Sequence, residues 1–194
     1  MALFSDWLCV KELKLELSNA EQAMLQQVFA QLREQALQQP AVVVHRDFHS
    51  RNLMLKHDGS LGVIDFQDAV VGAASYDLVS LLRDCYVRWD ESLITPLLEY
   101  YWQQASIEGI CQQSLDAFIR DFDWMGMQRH LKAAGIFARL HLRDGKDGYL
   151  ADIPNTCRYL LDISARYPQF SDFHHWLRQR FLPALQQFID GRAV

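Results

Sequence analysis

Three oxygen-bearing side chains occur close together in the chain, in a pattern suited to phosphate chemistry. Asp47 and Asn52 share one short segment directly after the β-branched run at residues 41–44, and Asp65 follows a little later. Moving a phosphoryl group needs an oxygen base beside the attacking hydroxyl and hard oxygen ligands that hold magnesium against the phosphates. The pattern therefore indicates a site in which Asp47, Asn52 and Asp65 supply a base and oxygen ligands for Mg²⁺.

A strand and a hairpin are expected to position these residues. The β-branched run at residues 41–44 predicts a buried strand, and the loop that carries Asp47 and Asn52 follows it. Residues 53–56 and 61–64 flank an Asp-Gly turn and predict a two-stranded hairpin. Such a hairpin would return Asp65 to the level of Asn52, so that two oxygen ligands converge on one ion.

Each of these residues alone also has an ordinary structural explanation. Asp47 and Asp65 are compatible with turn acids at strand ends, and Asn52 is compatible with a helix or loop cap. Their joint presence with His45 at this spacing is what favours a catalytic site.

The same segment resembles the catalytic loop of kinases. Residues 45–52, His-Arg-Asp-Phe-His-Ser-Arg-Asn, and Ile-Asp-Phe at residues 64–66 are similar to the H-R-D-L-x-x-x-N and D-F-G motifs of protein kinases. His49 fits the His-Gly-Asp-x-His-x-x-Asn version found in the phosphotransferase family of aminoglycoside phosphotransferases and choline kinases, where Arg46 replaces the usual Gly. The resemblance implies a protein-kinase-like fold with ATP as co-substrate. It also implies that Asp47 is the base and that Asn52 and Asp65 bind Mg²⁺.

Longer stretches resemble one bacterial branch of that family, which phosphorylates cell-wall amino sugars at the anomeric hydroxyl. These stretches are residues 64–69, 76–84, 128–132 and 135–140. Residues 72–75, Gly-Ala-Ala-Ser, depart from the Gly-Pro-x-Thr associated with this branch. The resemblance implies an acceptor of the N-acetylmuramate or N-acetylglucosamine type, with an aminoglycoside or another small alcohol as the alternative.

The resemblance also implies supporting residues around the loop. His45, Arg46 and His49 are expected to order the loop rather than to react. Asp77 lies in the first turn of a helix that Ser75 is predicted to cap, and it would accept hydrogen bonds from the loop backbone. Stabilisation of the helix dipole is the alternative role for Asp77.

Acceptor-binding residues are expected on a helix from about residue 124 to residue 143. Gln128, Lys132, Gly135 and Arg139 recur there at helical spacing and form one polar stripe. A stripe of this kind is often only a solvated face. The family resemblance is what makes Gln128, Lys132 and Arg139 candidates for binding a sugar.

The predicted fold class is α+β, the mostly helical C-terminal lobe of a protein-kinase-like enzyme, with a small β-hairpin that carries the catalytic loop. Residues 1–39 contain no Gly, and Ser18 and Glu21 resemble a capping box ahead of apolar residues at helical spacing. This segment predicts a helix and not a nucleotide-binding lid. The resemblance then implies that the N-terminal nucleotide lobe, required in cis, is absent from this chain.

We expect residues 1–194 to form one domain with three parts. Residues 1–39 are the leading helical segment, and residues 40–66 hold the catalytic loop and the metal-binding hairpin. Residues 67–194 are the helical acceptor-binding part, and they begin with a short loop at residues 67–75.

Composition restricts the partners and the location of the protein. The 194 residues are 50% hydrophobic with a formal net charge of −5, which argues against nucleic acid as a partner. The four cysteines are widely spaced without a C-x-x-C pair and predict reduced thiols. Because there is no signal-peptide pattern and no long apolar run, the sequence predicts a cytoplasmic protein that does not span a membrane.

Three classes of function stay open from the residues alone. The first is the catalytic lobe of an ATP-dependent small-molecule kinase acting on a sugar. The second is a catalytically inactive kinase-like binding or regulatory module, which the missing nucleotide lid favours for this polypeptide by itself. The third is a metal-dependent hydrolase, although the further His or carboxylate ligands of a two-metal site are not found nearby. Intact Asp47, Asn52 and Asp65 favour descent from an active enzyme.

Overall fold

The computed structural model describes residues 1–191, which are mainly helical. The α-helices are α1 (Asn19–Gln38), α2 (Tyr76–Leu82), α3 (Glu91–Ile107), α4 (Leu115–Asp144), α5 (Ile153–Ser164), α6 (Ser171–Trp176) and α7 (Leu182–Asp190). The strands are β1 (Ala41–Val44), β2 (Leu53–Leu55), β3 (Leu61–Val63) and β4 (Val70–Ala73). Shorter π-helical or 3₁₀ segments are Phe4–Glu12, Ser50–Asn52, Asp147–Asp152, Pro168–Phe170 and Leu177–Phe181.

The chain divides into two compact units. The strand unit is Glu34–Gly126 and contains β1 to β4. The helical unit is formed by Met1–Arg33 and by the described residues from Met127 onward. The single domain expected over residues 1–194 stays a prediction.

The strand unit contains two antiparallel strand pairs. β2 pairs with β3 in the register Leu53↔Val63, which is the hairpin predicted from the sequence. Gly59 has φ +81° in the connecting turn, a left-handed conformation that glycine adopts without steric cost. The backbone N–H of Ser60 donates to Asp58 Oδ1 at 2.9 Å and closes the turn.

The second pair joins β1 to β4 in the register Val44↔Val70 and corrects two expectations. Residues 67–75 were expected to be only a loop, but Val70–Ala73 forms a strand because the edge of β1 offers it hydrogen-bonding partners. Ala41–Val44 was expected to be buried, whereas Val43 is 79% exposed and only Val44 is fully buried.

The core of the strand unit lies among α2, α3 and the first half of α4. Its buried residues are Val79, Leu82, Ile94, Leu98, Ala105, Cys111, Phe118, Phe122 and Met125. Ser75 precedes α2, but its hydroxyl donates to Gln39 Oε1 at 2.6 Å and makes no capping bond, which corrects the predicted cap. α2 is therefore held mainly by the packing of its apolar residues Val79 and Leu82 in this core.

The helical unit confirms the capping box predicted before α1. The Ser18 N–H donates to Glu21 Oε2 at 2.8 Å, and the Glu21 N–H donates to Ser18 Oγ at 3.3 Å. The bond from the Ser18 backbone is the main reason why the pKa of Glu21 lies below its ordinary value. Glu21 also accepts from Trp176 Nε1 at 2.8 Å, so the start of α1 is tied to the end of α6.

Gly135 lies against the backbone of the first residues of the chain. A Cβ at this position would lie 2.3 Å from the carbonyl carbon of Leu3 and 2.5 Å from the nitrogen of Phe4. Phe4 is fully buried, and its ring lies 5.2 Å from that of Phe181. A glycine is therefore needed for α4 to approach this segment.

We expect Gly135→Ala to lower the free energy of unfolding by about 1–3 kcal/mol, the usual range for overpacking a tight contact. Urea unfolding measures this change. Gly148→Ala is the matched control, since nothing lies within 4 Å of a Cβ built there. Equal stability of the two variants would show that the Leu3–Phe4 segment moves aside without cost.

Two further properties were also expected from composition. Cys9, Cys85, Cys111 and Cys157 are buried thiols that are not joined in disulfides, as the cysteine spacing predicts. Burial raises the pKa of the Cys9 thiol well above its ordinary value. Across residues 1–191, every helix is too short or too polar to cross a lipid bilayer.

Candidate active site

The loop after β1 brings together the three residues proposed from their spacing. Residues 45–49 follow Val44, and the 3₁₀ turn Ser50–Asn52 then leads into β2. The side-chain Nδ2 of Asn52 donates to the backbone oxygen of Asp47 at 2.9 Å. The same Nδ2 lies 3.4 Å from Asp65 Oδ2. The hairpin thus returns Asp65 to the level of Asn52, as predicted.

The carboxylate of Asp47 is available for a ligand. Asp47 is half-buried, and within residues 1–191 its side-chain oxygens have no hydrogen bond or ion pair. Its backbone oxygen is used instead, because it accepts from Asn52 and from the N–H of His49 at 3.0 Å. The loop is therefore held through the backbone oxygen of Asp47 and not through its carboxylate.

Asp65 is held in a conformation that is uncommon for its residue type. Its φ is +67°, in the left-handed region, where a non-glycine residue is worth inspection as a functional position. Gln67 Nε2 donates to Asp65 Oδ1 at 2.6 Å and fixes one carboxylate oxygen. Gln67 was not among the predicted site residues, and a spacing of two positions after a turn acid is too common to have revealed it.

Asp77 contacts the loop backbone in the way expected from the family resemblance. Its Oδ2 accepts the N–H of His45 at 2.6 Å, and its Oδ1 accepts the N–H of Arg46 at 2.9 Å. One carboxylate at the start of α2 therefore fixes two consecutive peptide groups just before Asp47. The part that these bonds play in catalysis stays a prediction.

The two loop histidines make different contacts. His45 Nε2 lies 3.0 Å from the backbone oxygen of Ile64, and this contact joins the loop to the residue before Asp65. The ring of His49 packs edge-on against Tyr86, with 5.2 Å between ring centroids. Both contacts agree with an ordering role for these histidines.

Arg46 occupies the position where the family commonly has glycine, and its backbone explains that preference. Its φ is +76°, a left-handed conformation that costs an ordinary L-residue about 1–2 kcal/mol. The side chain offsets part of this cost, because Nη1 donates to the backbone oxygen of Asp68 at 3.3 Å.

We expect Arg46→Gly to keep or raise the free energy of unfolding, because glycine adopts this φ freely. Arg46→Val should lower it by about 1–2 kcal/mol, since a β-branched residue tolerates positive φ poorly. Urea unfolding of the two variants measures both changes. A valine variant as stable as the glycine variant would contradict a left-handed residue 46.

Asp84 and Tyr86 are contacts of the loop that the sequence reasoning did not identify. Asp84 Oδ2 accepts the N–H of Ser50 at 2.9 Å, and the guanidinium of Arg51 lies 3.5 Å from the centroid of the Tyr86 ring. The sequence did contain a signal for Asp84. It follows Asp77 at a spacing of two helical turns, and both acids lie in a stretch that resembles the family.

The donor atoms around Asn52 and Asp65 fit a hard divalent cation. The amide nitrogen of Asn52 faces both the Asp47 backbone oxygen and the Asp65 carboxylate, and within residues 1–191 its amide oxygen has no hydrogen bond, which leaves that oxygen open to a cation. Within residues 1–191, no three His, Cys, Asp or Glu side chains are grouped to hold a metal. One carboxylate and one amide suit Mg²⁺, which usually keeps several waters and shares substrate phosphates, better than a metal that needs an all-protein cage.

The predicted acceptor residues lie on α4, within the helical unit. Gln128, Lys132 and Arg139 are half-buried, and they share a helix face with Gly135. Leu3 covers that face at Gly135. Burial, followed by the charge of Lys132, lowers the pKa of the α-amino group at residue 1, so the start of the chain also lies near Lys132. Sugar binding by these residues stays a prediction.

The chain is similar to one protein family and to several curated proteins. The model of the phosphotransferase enzyme family matches residues 4–110. An N-acetylmuramate/N-acetylglucosamine kinase of Neisseria meningitidis serogroup B is 48% identical over 173 residues, which are 89% of this chain and 52% of that protein. Proteins of the same name from Pseudomonas putida and Pseudomonas aeruginosa are each 43% identical and cover 88% and 89% of this chain.

This chain spans about half the length of these curated relatives. Their names confirm the resemblance to the amino-sugar branch. Since the family match includes the loop and the hairpin that carry Asp47, Asn52 and Asp65, the chain belongs to the phosphotransferase enzyme family.

Proposed function

We propose that the chain carries the catalytic loop of an ATP-dependent phosphotransferase that acts on a hydroxyl of a cell-wall amino sugar. The observation that carries this proposal is the Asn52 amide, which contacts both the backbone of Asp47 and the carboxylate of Asp65. The names of the relatives support an N-acetylmuramate or N-acetylglucosamine type of acceptor.

In the proposed reaction Asp47 orients the acceptor hydroxyl and takes its proton. The hydroxyl oxygen forms a bond to the γ-phosphorus of ATP, and the bond from that phosphorus to the β–γ bridging oxygen breaks. The products are a sugar phosphate and ADP. Asn52 and Asp65 would hold Mg²⁺, which neutralises charge on the phosphates when it is bound. Asp77 and His45 keep the loop backbone in place throughout.

We further propose that a nucleotide-binding lobe in cis completes the cleft, and that this chain supplies the protein-kinase-like C-terminal part. Apolar side chains on and beside the strands support a cover of this kind. Val43, Leu55, Leu61, Phe66 and Val71 are between 63% and 79% exposed. Leaving so many apolar groups in water is unusual unless another surface or ligand covers them. The greater length of the relatives points the same way.

Phosphate transfer to a panel of acceptors tests the proposed function. The 194-residue chain would be assayed with Mg²⁺ and ATP, alone and fused to the part of the Neisseria relative that it does not span. We expect ³¹P NMR to detect phosphate on N-acetylmuramate or N-acetylglucosamine and not on an aminoglycoside. Transfer only to the aminoglycoside would favour the alternative acceptor. Sugar binding without transfer in either form would favour an inactive binding module.

Nucleotide affinity tests the proposed second lobe separately. We expect the chain alone to bind ATP with a Kd on the order of 1 mM, because half of the cleft is not present, whereas a micromolar Kd would need about 4 kcal/mol more. Calorimetry with and without EDTA measures this affinity and its dependence on Mg²⁺. A micromolar Kd for the chain alone would contradict the need for a second lobe.

A further inference from the structure

Asp84 is a buried acid whose two carboxylate oxygens both bind backbone N–H groups. It is 1% exposed. Its Oδ2 accepts from Ser50 and its Oδ1 accepts from Tyr86, each at 2.9 Å. A buried carboxylate is costly unless charged hydrogen bonds compensate it, and both compensating donors here are peptide groups. The position therefore uses a full charge to fix two stretches of backbone.

The stretch fixed by Oδ2 is the one that carries Asn52. Ser50 begins the 3₁₀ turn Ser50–Asn52, which lies between Asp47 and β2. Within this turn the Asn52 N–H donates to the backbone oxygen of His49 at 3.0 Å. A shift of the Ser50 peptide would therefore move the Asn52 side chain relative to Asp65.

The stretch fixed by Oδ1 orients an aromatic ring that supports the same turn. The backbone bond to Tyr86 closes a tight turn after α2. The Tyr86 ring contacts His49 and Arg51, which are the residues directly before and after Ser50 in the chain. One carboxylate thus sets the backbone of the turn and the aromatic side chain packed against it.

Asp77 and Asp84 bind different parts of the loop backbone. Asp77 binds the peptides of residues 45 and 46, before the base. Asp84 binds the peptide of residue 50, between the base and the amide ligand. Both acids belong to α2 or to the residues directly after it, so this short element holds the loop at two separated points.

We propose that Asp84 is a positioning residue that sets the distance between the metal ligand Asn52 and the Asp65 carboxylate. This role rests on the proposed function, because it concerns the Mg²⁺ site of the phosphotransferase. Asp77 alone cannot perform it, since its bonds end before Asp47 and leave the turn at residues 50–52 to Asp84.

Amide hydrogen exchange of the 194-residue chain, measured by NMR, tests the structural half of this proposal. Asp84→Asn keeps one accepting oxygen, so it can hold only one of the Ser50 and Tyr86 N–H groups, and neither group then has a charged acceptor. We expect exchange at Ser50 to become about 10-fold to 100-fold faster, as for the loss of a hydrogen bond to a charged group. Asp84→Glu keeps the charge but displaces the oxygens, so it should show the same change.

Asp123→Asn is the matched control. Asp123 is also 1% exposed and lies in the strand unit, where it pairs with Arg83 at 3.3 Å. Its substitution perturbs a second buried acid of the same unit. We expect the Ser50 amide to exchange in this variant as it does in the parent, even if the variant is less stable overall.

A Mg²⁺ titration followed by the NMR shifts of Asn52 and Asp65 tests the positioning half. We expect Asp84→Asn to raise the half-saturating Mg²⁺ concentration about 10-fold, the effect typical of partners that orient metal ligands, with Asp123→Asn unchanged. If Ser50 exchanged at the parental rate in Asp84→Asn, the role of Asp84 would be overturned. The same holds if Ser50 exchanged faster but the half-saturating Mg²⁺ concentration equalled that of the parent. If no variant, including the parent, bound Mg²⁺ or transferred phosphate, the proposed function would fail, whereas exchange at Ser50 would still decide whether Asp84 holds the turn.

Discussion

Asp47→Asn is expected to lower the rate of phosphate transfer by about 10²-fold to 10⁴-fold, the usual contribution of a positioned general base. The asparagine keeps the size of the side chain but cannot take the proton of the acceptor hydroxyl. The loop itself should be unchanged, because it is held by the backbone oxygen of Asp47 and not by its carboxylate. Turnover at saturating sugar and ATP measures the loss.

Sugar binding separates this explanation from simple unfolding. Calorimetry should give the same sugar affinity for Asp47→Asn and for the parent, and NMR should show the Asn52 side-chain amide in the same position. Asp58→Asn is a matched control, since it makes the same substitution in the exposed turn of the neighbouring hairpin. If Asp47→Asn transferred phosphate as fast as this control, Asp47 would not be the base.

Asp65→Asn is expected to raise the Mg²⁺ concentration needed for half-maximal activity by at least about 10-fold, and to lower the maximal rate. Asp65 supplies the negative charge of the two proposed ligands, and removing it leaves only neutral amide oxygens for a cation that prefers carboxylate. Removing a residue that only orients a metal ligand typically weakens metal binding by about 10-fold or more. Removing a ligand itself should have at least this effect.

The Mg²⁺ dependence distinguishes a ligand from a structural acid. Asp65→Asn keeps an oxygen that can accept from Gln67, so the segment after the hairpin should hold its conformation. Raising Mg²⁺ should restore part of the activity of Asp65→Asn and none of the activity of Asp47→Asn. Equal Mg²⁺ half-saturation in Asp65→Asn and in the Asp58→Asn control would remove Asp65 from the metal site.

Local signals in the chain were sufficient for several elements of the fold. The Asp-Gly turn predicted the β2–β3 hairpin, and the Ser18–Glu21 pair predicted the start of α1. Helical spacing predicted the buried residues of α1, among them Leu25 and Leu32. These features depend on residues within a few positions of one another, so their energetics are visible in the sequence.

Other features depend on partners that are distant in the chain. β4 exists because it pairs with β1, and the burial of Asp84 against the Ser50 peptide depends on a return of the chain after α2. The left-handed backbone at Arg46 and Asp65 likewise depends on the surrounding loop, since residues other than glycine seldom adopt it.

The sequence by itself identified the oxygen-bearing residues that we propose for phosphate chemistry, through the types and spacing of Asp47, Asn52 and Asp65. Only the tertiary structure decided how those atoms are held, through the bonds of Asp77, Asp84 and Gln67. The physical reason is that a motif records side-chain chemistry along the chain. The orientation of a peptide group is set by whichever distant donor or acceptor the fold brings within hydrogen-bonding distance.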